Sequence, residues 1–322
     1  MAANSPKQLL HKLFFKGLLL WEKRLAQQQY ELRYSPVFLV APPRAGTTLT
    51  RQLIAWALPT SYLTNLLMMG WRSLKRPLPL STARLVTRFG WHHFDATFES
   101  NYGYTEGRGA PAEAEPVWDY WFGVRYTAVS PDQLSLAQKT QIYQAVAGTE
   151  HAFGYPFVNK TTVLSLRIRA LVDIFPNALF INIVRDPLDT AQSIYRARKS
   201  GYDRWLGPKP PQCKPDGQPV WQQVCDQVYY TEQFIAQERA IVGDSCFLDI
   251  HYKSLCAQPR QEIARIARFM NEHGAPVPQP RQVPASFRRS HGRKVDEEVY
   301  AHMCDYLRAL YGADGNGRFD PS

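Results

Sequence analysis

A short apolar run, Pro36-Val37-Phe38-Leu39-Val40, leads into Ala41-Pro42-Pro43-Arg44-Ala45-Gly46-Thr47-Thr48, and Leu49, Leu53, Ile54 and Ala57 then recur at helical spacing. Strand, tight turn and helix in that order aim several backbone N–H groups and a positive helix end at one point, which suits a bound anion. Gly46 permits close backbone approach, and the hydroxyls of Thr47 and Thr48 can donate to anion oxygens. The loop is not that of a nucleotide triphosphatase, which reads G-x-x-x-x-G-K-[ST] with lysine on the terminal phosphates and Ser/Thr on magnesium. Here Thr47 occupies the lysine position, Ala41 the first glycine, and the cation stands earlier, at Arg44. A phosphate site without metal-assisted phosphoryl transfer is the expectation.

A second strand-to-helix turn has the same character. Ala178-Leu179-Phe180-Ile181-Asn182-Ile183-Val184 reads as a buried parallel strand and ends in Arg185-Asp186-Pro187-Leu188-Asp189. Asp186 is a helix cap, Pro187 the first helical residue, and Asp189 supplies negative charge to the first turn. Ser193 follows Arg185 by eight residues, two turns into that helix. The arginine and the serine can meet on one phosphate.

The first loop is similar to the 5′-phosphosulfate loop of sulfotransferases that use 3′-phosphoadenylyl sulfate (PAPS), written P-x-[RK]-[SA]-G-T-[TS]. The Arg185…Ser193 spacing resembles that family's grip on the 3′-phosphate. Tyr252-Lys253-Ser254-Leu255 followed by Pro259 looks like its Y-x-x-L…P segment, and Ser290-His291-Gly292-Arg293 loosely resembles its late cofactor-closing loop. The resemblance spans roughly residues 36 to 312. It implies an α/β three-layer sandwich with a central parallel sheet of P-loop NTPase-like topology, transfer of a sulfonate from PAPS to a hydroxyl or amine, and adenosine 3′,5′-bisphosphate as product. It further implies a cofactor site of Pro43, Arg44, Ala45, Gly46, Thr47, Thr48, Arg185, Ser193, Ser290 and Arg293. On the same resemblance, Arg44 and Lys160, the latter ending the short strand Phe157-Val158-Asn159-Lys160, are the expected catalytic cations. No metal is expected.

In-line sulfuryl transfer also needs a base for the acceptor's proton. Ala110-Pro111-Ala112-Glu113, before Trp118 and Trp121, resembles an A-P-H-E stretch of some bacterial sulfotransferases, with Glu113 on the family's glutamate and Ala112 replacing its histidine. Glu113 is therefore the first candidate. Glu115 and Glu99 remain alternatives, as do His92 and His93, because cytosolic members use histidine. Tyr202, Trp205, Trp221 and the prolines between Pro208 and Pro219, with Trp71, Trp91, Tyr102 and Tyr104, are candidates to line an apolar or planar acceptor site. The acceptor itself (small molecule, carbohydrate or lipid) stays open. A P-loop-like kinase using ATP and a nucleotide-binding module without transferase activity are the alternatives.

Composition agrees with a soluble globular anion binder. Of 322 residues 45% are hydrophobic, and the formal net charge is +10. The cations are scattered without a long basic run or an RNP-type aromatic pattern, which argues against nucleic acid. Cys213, Cys225, Cys246, Cys256 and Cys304 are odd in number and lack C-x-x-C spacing, so a reducing, cytoplasmic setting is expected. No apolar run is long enough to span a membrane, and Leu9 to Trp21, interrupted by Lys12 and Lys16, lacks the form of a signal peptide. It reads as an amphipathic helix that packs on the domain or a second copy (a homodimer), or makes a peripheral membrane contact. Residues 1–33 are accordingly assigned to an N-terminal helical extension and 34–322 to the main domain.

Overall fold

In the computed structural model, residues 6–93, 98, 105–201, 205–214 and 217–313 are described. Chain order is α1 (Pro6–Leu25), β1 (Val37–Val40), α2 (Thr47–Ala57), α3 (Asn65–Leu74), α4 (Pro79–Arg88), α5 (Glu115–Phe122), α6 (Leu136–Phe153) and β2 (Val158–Lys160). It continues with α7 (Ile168–Ile174), β3 (Leu179–Val184), α8 (Pro187–Lys199), α9 (Val220–Val242), β4 (Phe247–His251), α10 (Tyr252–Ala257), α11 (Pro259–Glu272) and α12 (Glu297–Ala313). The strands form one parallel sheet in the order β2-β1-β3-β4.

Strand alternation gives the sheet two packed faces and so makes the three layers. Phe38, Val40 and Phe180 point to one face, where they meet Trp118, Trp121, Phe157 and Phe175. Val37, Leu39, Leu179, Ile181 and Ile183 point to the other, against Leu53 and Ile54 of α2 and Ile263 and Ile266 of α11. All four residues of β1 are fully buried, as expected of a central parallel strand covered on both sides. The α/β three-layer architecture is thus the one the sequence indicates.

The sheet register positions the chemistry. Leu39 pairs with Lys160 and Val40 with Asn182, so the carboxyl ends of β1, β2 and β3 lie side by side. Lys160 ends β2, and the loops that leave β1 and β3 carry Arg44 and Arg185. Open parallel sheets place ligands along this edge.

The stretch 59–110, read from sequence only as aromatic and basic, carries α3 and α4, and α1 packs across both. Phe15 of α1 is fully buried and sits against Gly70 of α3, where an added Cβ would meet its ring at 3.1 Å. Glu22 of α1 accepts from the amides of Leu80 (3.1 Å) and Ser81 (2.7 Å) in the first turn of α4, which otherwise have no partner in their own helix. The N-terminal helix is therefore anchored by an apolar contact and by a cap.

Candidate functional site

The turn between β1 and α2 is held in an unusual backbone conformation. Arg44 has φ 67° and Gly46 φ 106°, both left-handed. For arginine that costs about 1–2 kcal/mol, so its surroundings must compensate. The Arg44 carbonyl accepts from Arg185 Nη1 at 2.7 Å, and Arg44 Nε donates to Ser193 Oγ at 3.2 Å. At the start of the turn Ser165 Oγ both receives the Ala41 amide (2.9 Å) and donates to the Ala41 carbonyl (3.1 Å). Gly46 has no room for a side chain: an added Cβ would lie 2.4 Å from Cδ2 of Tyr252.

The two turns face each other. A cavity of about 260 Å³ is lined by Pro43, Arg44, Gly46, Thr47 and Thr48 on one side and by Arg185, Ser193, Tyr252 and Ser290 on the other. Glu113, Glu115 and Lys160 also line it. Arg185 is the hub: Nη2 donates to the Ser290 carbonyl at 2.6 Å, its guanidinium lies over the Tyr252 ring at 4.6 Å, and its buried Nε has no partner among the described residues. A smaller cavity of about 150 Å³ adjoins it, bounded by Arg185, Tyr252, Lys253 and Arg289. The basic loop after Ser290 is tied to α8, because the Lys294 amide donates to Gln192 Oε1 at 2.7 Å and Gln192 Nε2 to the Gly292 carbonyl at 3.4 Å; within the loop Lys294 Nζ donates to Ser290 Oγ at 2.6 Å.

Lys160 is almost fully buried and ion-paired with Glu113, whose backbone carbonyl accepts from Thr161 Oγ1. Burial lowers the Lys160 pKa, and the Glu113 carboxylate opposes that shift. Ala114 is left-handed at φ 56° and starts α5, so that Glu115 follows at the helix N-terminus. Desolvation, with Asp119 and Glu113 nearby, raises the Glu115 carboxyl to about 7. Beneath the segment lies Arg51 of α2, fully buried, donating to the Pro111 carbonyl at 2.6 Å and to Thr105 Oγ1 at 3.1 Å. Its pKa is lowered by burial, with the Glu113 charge counteracting.

A further cavity of about 510 Å³ shares Glu113 and Glu115 in its lining. Met68, Met69, Ala112 and Pro116 give it apolar surface, and Arg72 and Arg108 stand exposed at its lining.

Of the remaining candidates most fall elsewhere. Arg293 does not line the main cavity; it pairs with Glu297 at 3.2 Å on the surface. His92 packs on Phe153, with burial lowering its pKa, and His93 lines a separate cavity with Trp91 and Arg108. Glu99, Tyr102, Tyr104 and Tyr202 lie outside the described residues. Trp205 does reach the main cavity, with Leu206 and Gly207, and a Cβ on Gly207 would come within 2.5 Å of Thr162 Oγ1. Trp71 instead packs on Tyr120, and Trp221 on His302 and Tyr306. Sequence reasoning missed Arg51, Tyr126 and Thr162. The latter two line the cavity, and only an arginine one turn into an apolar helix gave any signal for the first.

Fold and site together define a P-loop-like α/β protein with a cleft lined by two strand-to-helix turns. Residues 36–273 match the Sulfotransferase family, and the chain belongs to it. The fold is shared with sulfotransferase STF9 from Mycobacterium avium, at TM-score 0.54 and 13% identity over 96% of this chain and 82% of that one. Sulfotransferase STF1 from Mycobacterium tuberculosis H37Rv aligns more loosely, at TM-score 0.49 and 16% identity over 93% of this chain and 83% of its own. No curated protein sequence matches. Family membership makes the chain a transferase of the sulfotransferase type. Among the described residues no helix is long and apolar enough to cross a membrane, and no three His, Cys, Asp or Glu side chains group as a metal site would require.

Proposed function

We propose that the chain transfers a sulfonate from PAPS to a hydroxyl or amine of a small-molecule, carbohydrate or lipid acceptor, leaving adenosine 3′,5′-bisphosphate. The observation that carries this reading is the convergence of the Arg44–Thr48 turn and the Arg185–Ser193–Ser290 group on one cavity. The residues present fit the donor. Arg185 retains an unpartnered buried Nε at its end of the cleft, and the Tyr252 ring occupies the space a Cβ on residue 46 would need. In this reading the first-turn amides and hydroxyls of Thr47 and Thr48, with Arg44, hold the 5′-phosphosulfate, and Arg185, Ser193 and the Ser290 loop hold the 3′-phosphate. When bound, PAPS supplies an electrophilic sulfonate and a phosphate leaving group.

Lys160 neutralises charge on the leaving side. Glu113, first candidate for the base, is engaged with Lys160, and proton transfer to it would break that pair. Glu115 lines the same cavity and has a carboxyl raised to about 7, the range in which a base works best near neutrality. We therefore assign the acceptor's proton to Glu115 and the positioning of Lys160 to Glu113. The acceptor enters through the Met68–Arg72 cavity, whose lining includes these two glutamates. The outward face of α1 is the surface offered to a bilayer or a second copy, and residues 1–33 act as an extension of the catalytic domain.

The test is transfer of radiolabelled sulfonate from PAPS over a screen of acceptors, repeated with Glu115→Gln and Glu113→Gln. The reading expects Glu115→Gln to remove the acid limb of the pH–rate profile near 7. Glu113→Gln should lower turnover and leave that limb. Persistence of the limb in Glu115→Gln, with loss in Glu113→Gln, would return the base to Glu113. No transfer to any acceptor class would favour a binding module.

A further inference from the structure

The outer face of α1 has no partner among the described residues, yet it is built as apolar surface. At 100° per residue, Leu9, Leu20, Leu13, Gly17 and Leu10 fall within an arc of about 100°, opposite the buried Phe15, Leu18 and Leu25. Leu10 is 71% exposed, Leu20 69%, Leu9 55% and Leu13 54%, and Phe14 at the edge of the stripe is 45% exposed. A Cβ on Gly17 would meet nothing within 4 Å, so no neighbouring element covers the centre of the stripe. Because Phe15 and Glu22 fix the helix to α3 and α4, the stripe is presented outward as a fixed surface.

Its charge is of one sign. Lys12, Lys16 and Lys23 run along one edge and Arg24 lies within the stripe; all four are exposed. The one acidic residue of α1, Glu22, is buried against α4. Arg72, Lys75 and Arg76 add exposed cations at the end of α3, where His11 Nδ1 of α1 meets Ser73 Oγ at 3.0 Å. A second copy docking through this face would bring lysines together with no exposed α1 acid to meet them. A lipid surface with anionic headgroups satisfies both features, taking the leucines into the acyl boundary and the lysines into the headgroup layer.

We propose that the exposed face of α1 docks the enzyme on an anionic bilayer surface, with the helix lying in the interface and not crossing it. Anionic lipid is the occupant, and apolar burial and headgroup charge both contribute.

The experiment is co-sedimentation of the full chain with vesicles of phosphatidylcholine alone and of phosphatidylcholine and phosphatidylglycerol in equal parts. Binding to the mixed vesicles is expected to exceed binding to phosphatidylcholine by about tenfold and to fall severalfold in ~0.5 M salt. The triple variant Leu10→Glu/Leu13→Glu/Leu20→Glu should lose about tenfold or more of that binding. Its melting temperature and its affinity for adenosine 3′,5′-bisphosphate should match wild type, because the three side chains are exposed. Lys12→Glu/Lys16→Glu/Lys23→Glu should erase the preference for anionic vesicles. Equal binding to both vesicles, binding to neither, or undiminished binding by the leucine variant would overturn the proposal. So would a solution dimer that the leucine variant dissociates, which would assign the face to a second copy. Vesicle binding is read without donor or acceptor, so it stands or falls separately from the sulfotransfer reading.

Discussion

Replacing Arg185 by alanine separates the two ends of the proposed donor site. The guanidinium reaches the Arg44 carbonyl at 2.7 Å and the Ser290 carbonyl at 2.6 Å, lies 4.6 Å from the Tyr252 ring, and keeps Nε in reserve. If that reserve serves the 3′-phosphate, the substitution removes at least one charge-assisted hydrogen bond, worth about 1.5–3 kcal/mol. Affinity for adenosine 3′,5′-bisphosphate should then fall by about 10- to 150-fold. Adenosine 5′-monophosphate lacks the 3′-phosphate and should bind variant and wild type within about threefold, since charge-assisted contacts elsewhere are kept. Titration calorimetry of both nucleotides against both proteins reads the four constants. An equal loss for the two nucleotides would mean that Arg185 only holds the Arg44 turn in shape. No loss for either would remove it from the site.

Gly46→Ala places a Cβ 2.4 Å from the Tyr252 ring at a φ of 106°, so the turn or the ring must move. Nucleotide affinity should drop at least about tenfold, with thermal stability lower by about 1–2 kcal/mol; wild-type affinity would deny the turn its role. Glu115 holds its proton more tightly folded than unfolded, so its contribution favours the folded state at acid pH. That contribution is lost as pH rises from the ordinary carboxylate range through about 7. Because the side chain is partly exposed, the loss is about 1–2 kcal/mol after solvent screening. Denaturant unfolding across that range should show it in wild type and not in Glu115→Gln; identical profiles would refute the assignment. Adding EDTA should leave sulfonate transfer unchanged within about twofold, since Arg44, Lys160 and Arg185 supply the positive charge; a strict metal requirement would contradict this.

The parallel sheet and the two strand-to-helix turns that face the cleft were legible because each rests on a local signal. An apolar run of strand length, glycine at a left-handed position and Asp-Pro at a helix start are written within a few adjacent residues. Asp186 does cap α8, accepting from the Asp189 amide at 2.7 Å. What stayed hidden depends on residues far apart in the chain. The Glu113–Lys160 pair joins residues 47 apart, and the contact of Arg44 with Ser193 spans 149. The high Glu115 pKa arises first from burial, which only the folded chain creates, although the Asp119 and Glu113 carboxylates that add to it are near in sequence. Arg51 of α2 was not singled out, because the Pro111 carbonyl and Thr105 Oγ1 that hold it lie more than fifty residues further along the chain. Arg293, placed at the site by a loose motif, turns instead to Glu297 one helical turn on, a contact of the kind surface arginines commonly make.

The central claim is that one cleft binds a nucleotide phosphorylated at both its 3′ and 5′ ends, and calorimetry in the presence of EDTA tests it most directly. Adenosine 3′,5′-bisphosphate should bind stoichiometrically and more tightly than either adenosine 5′-monophosphate or ATP. Magnesium-dependent ATP binding with no response to the bisphosphate would contradict the account and point to a kinase.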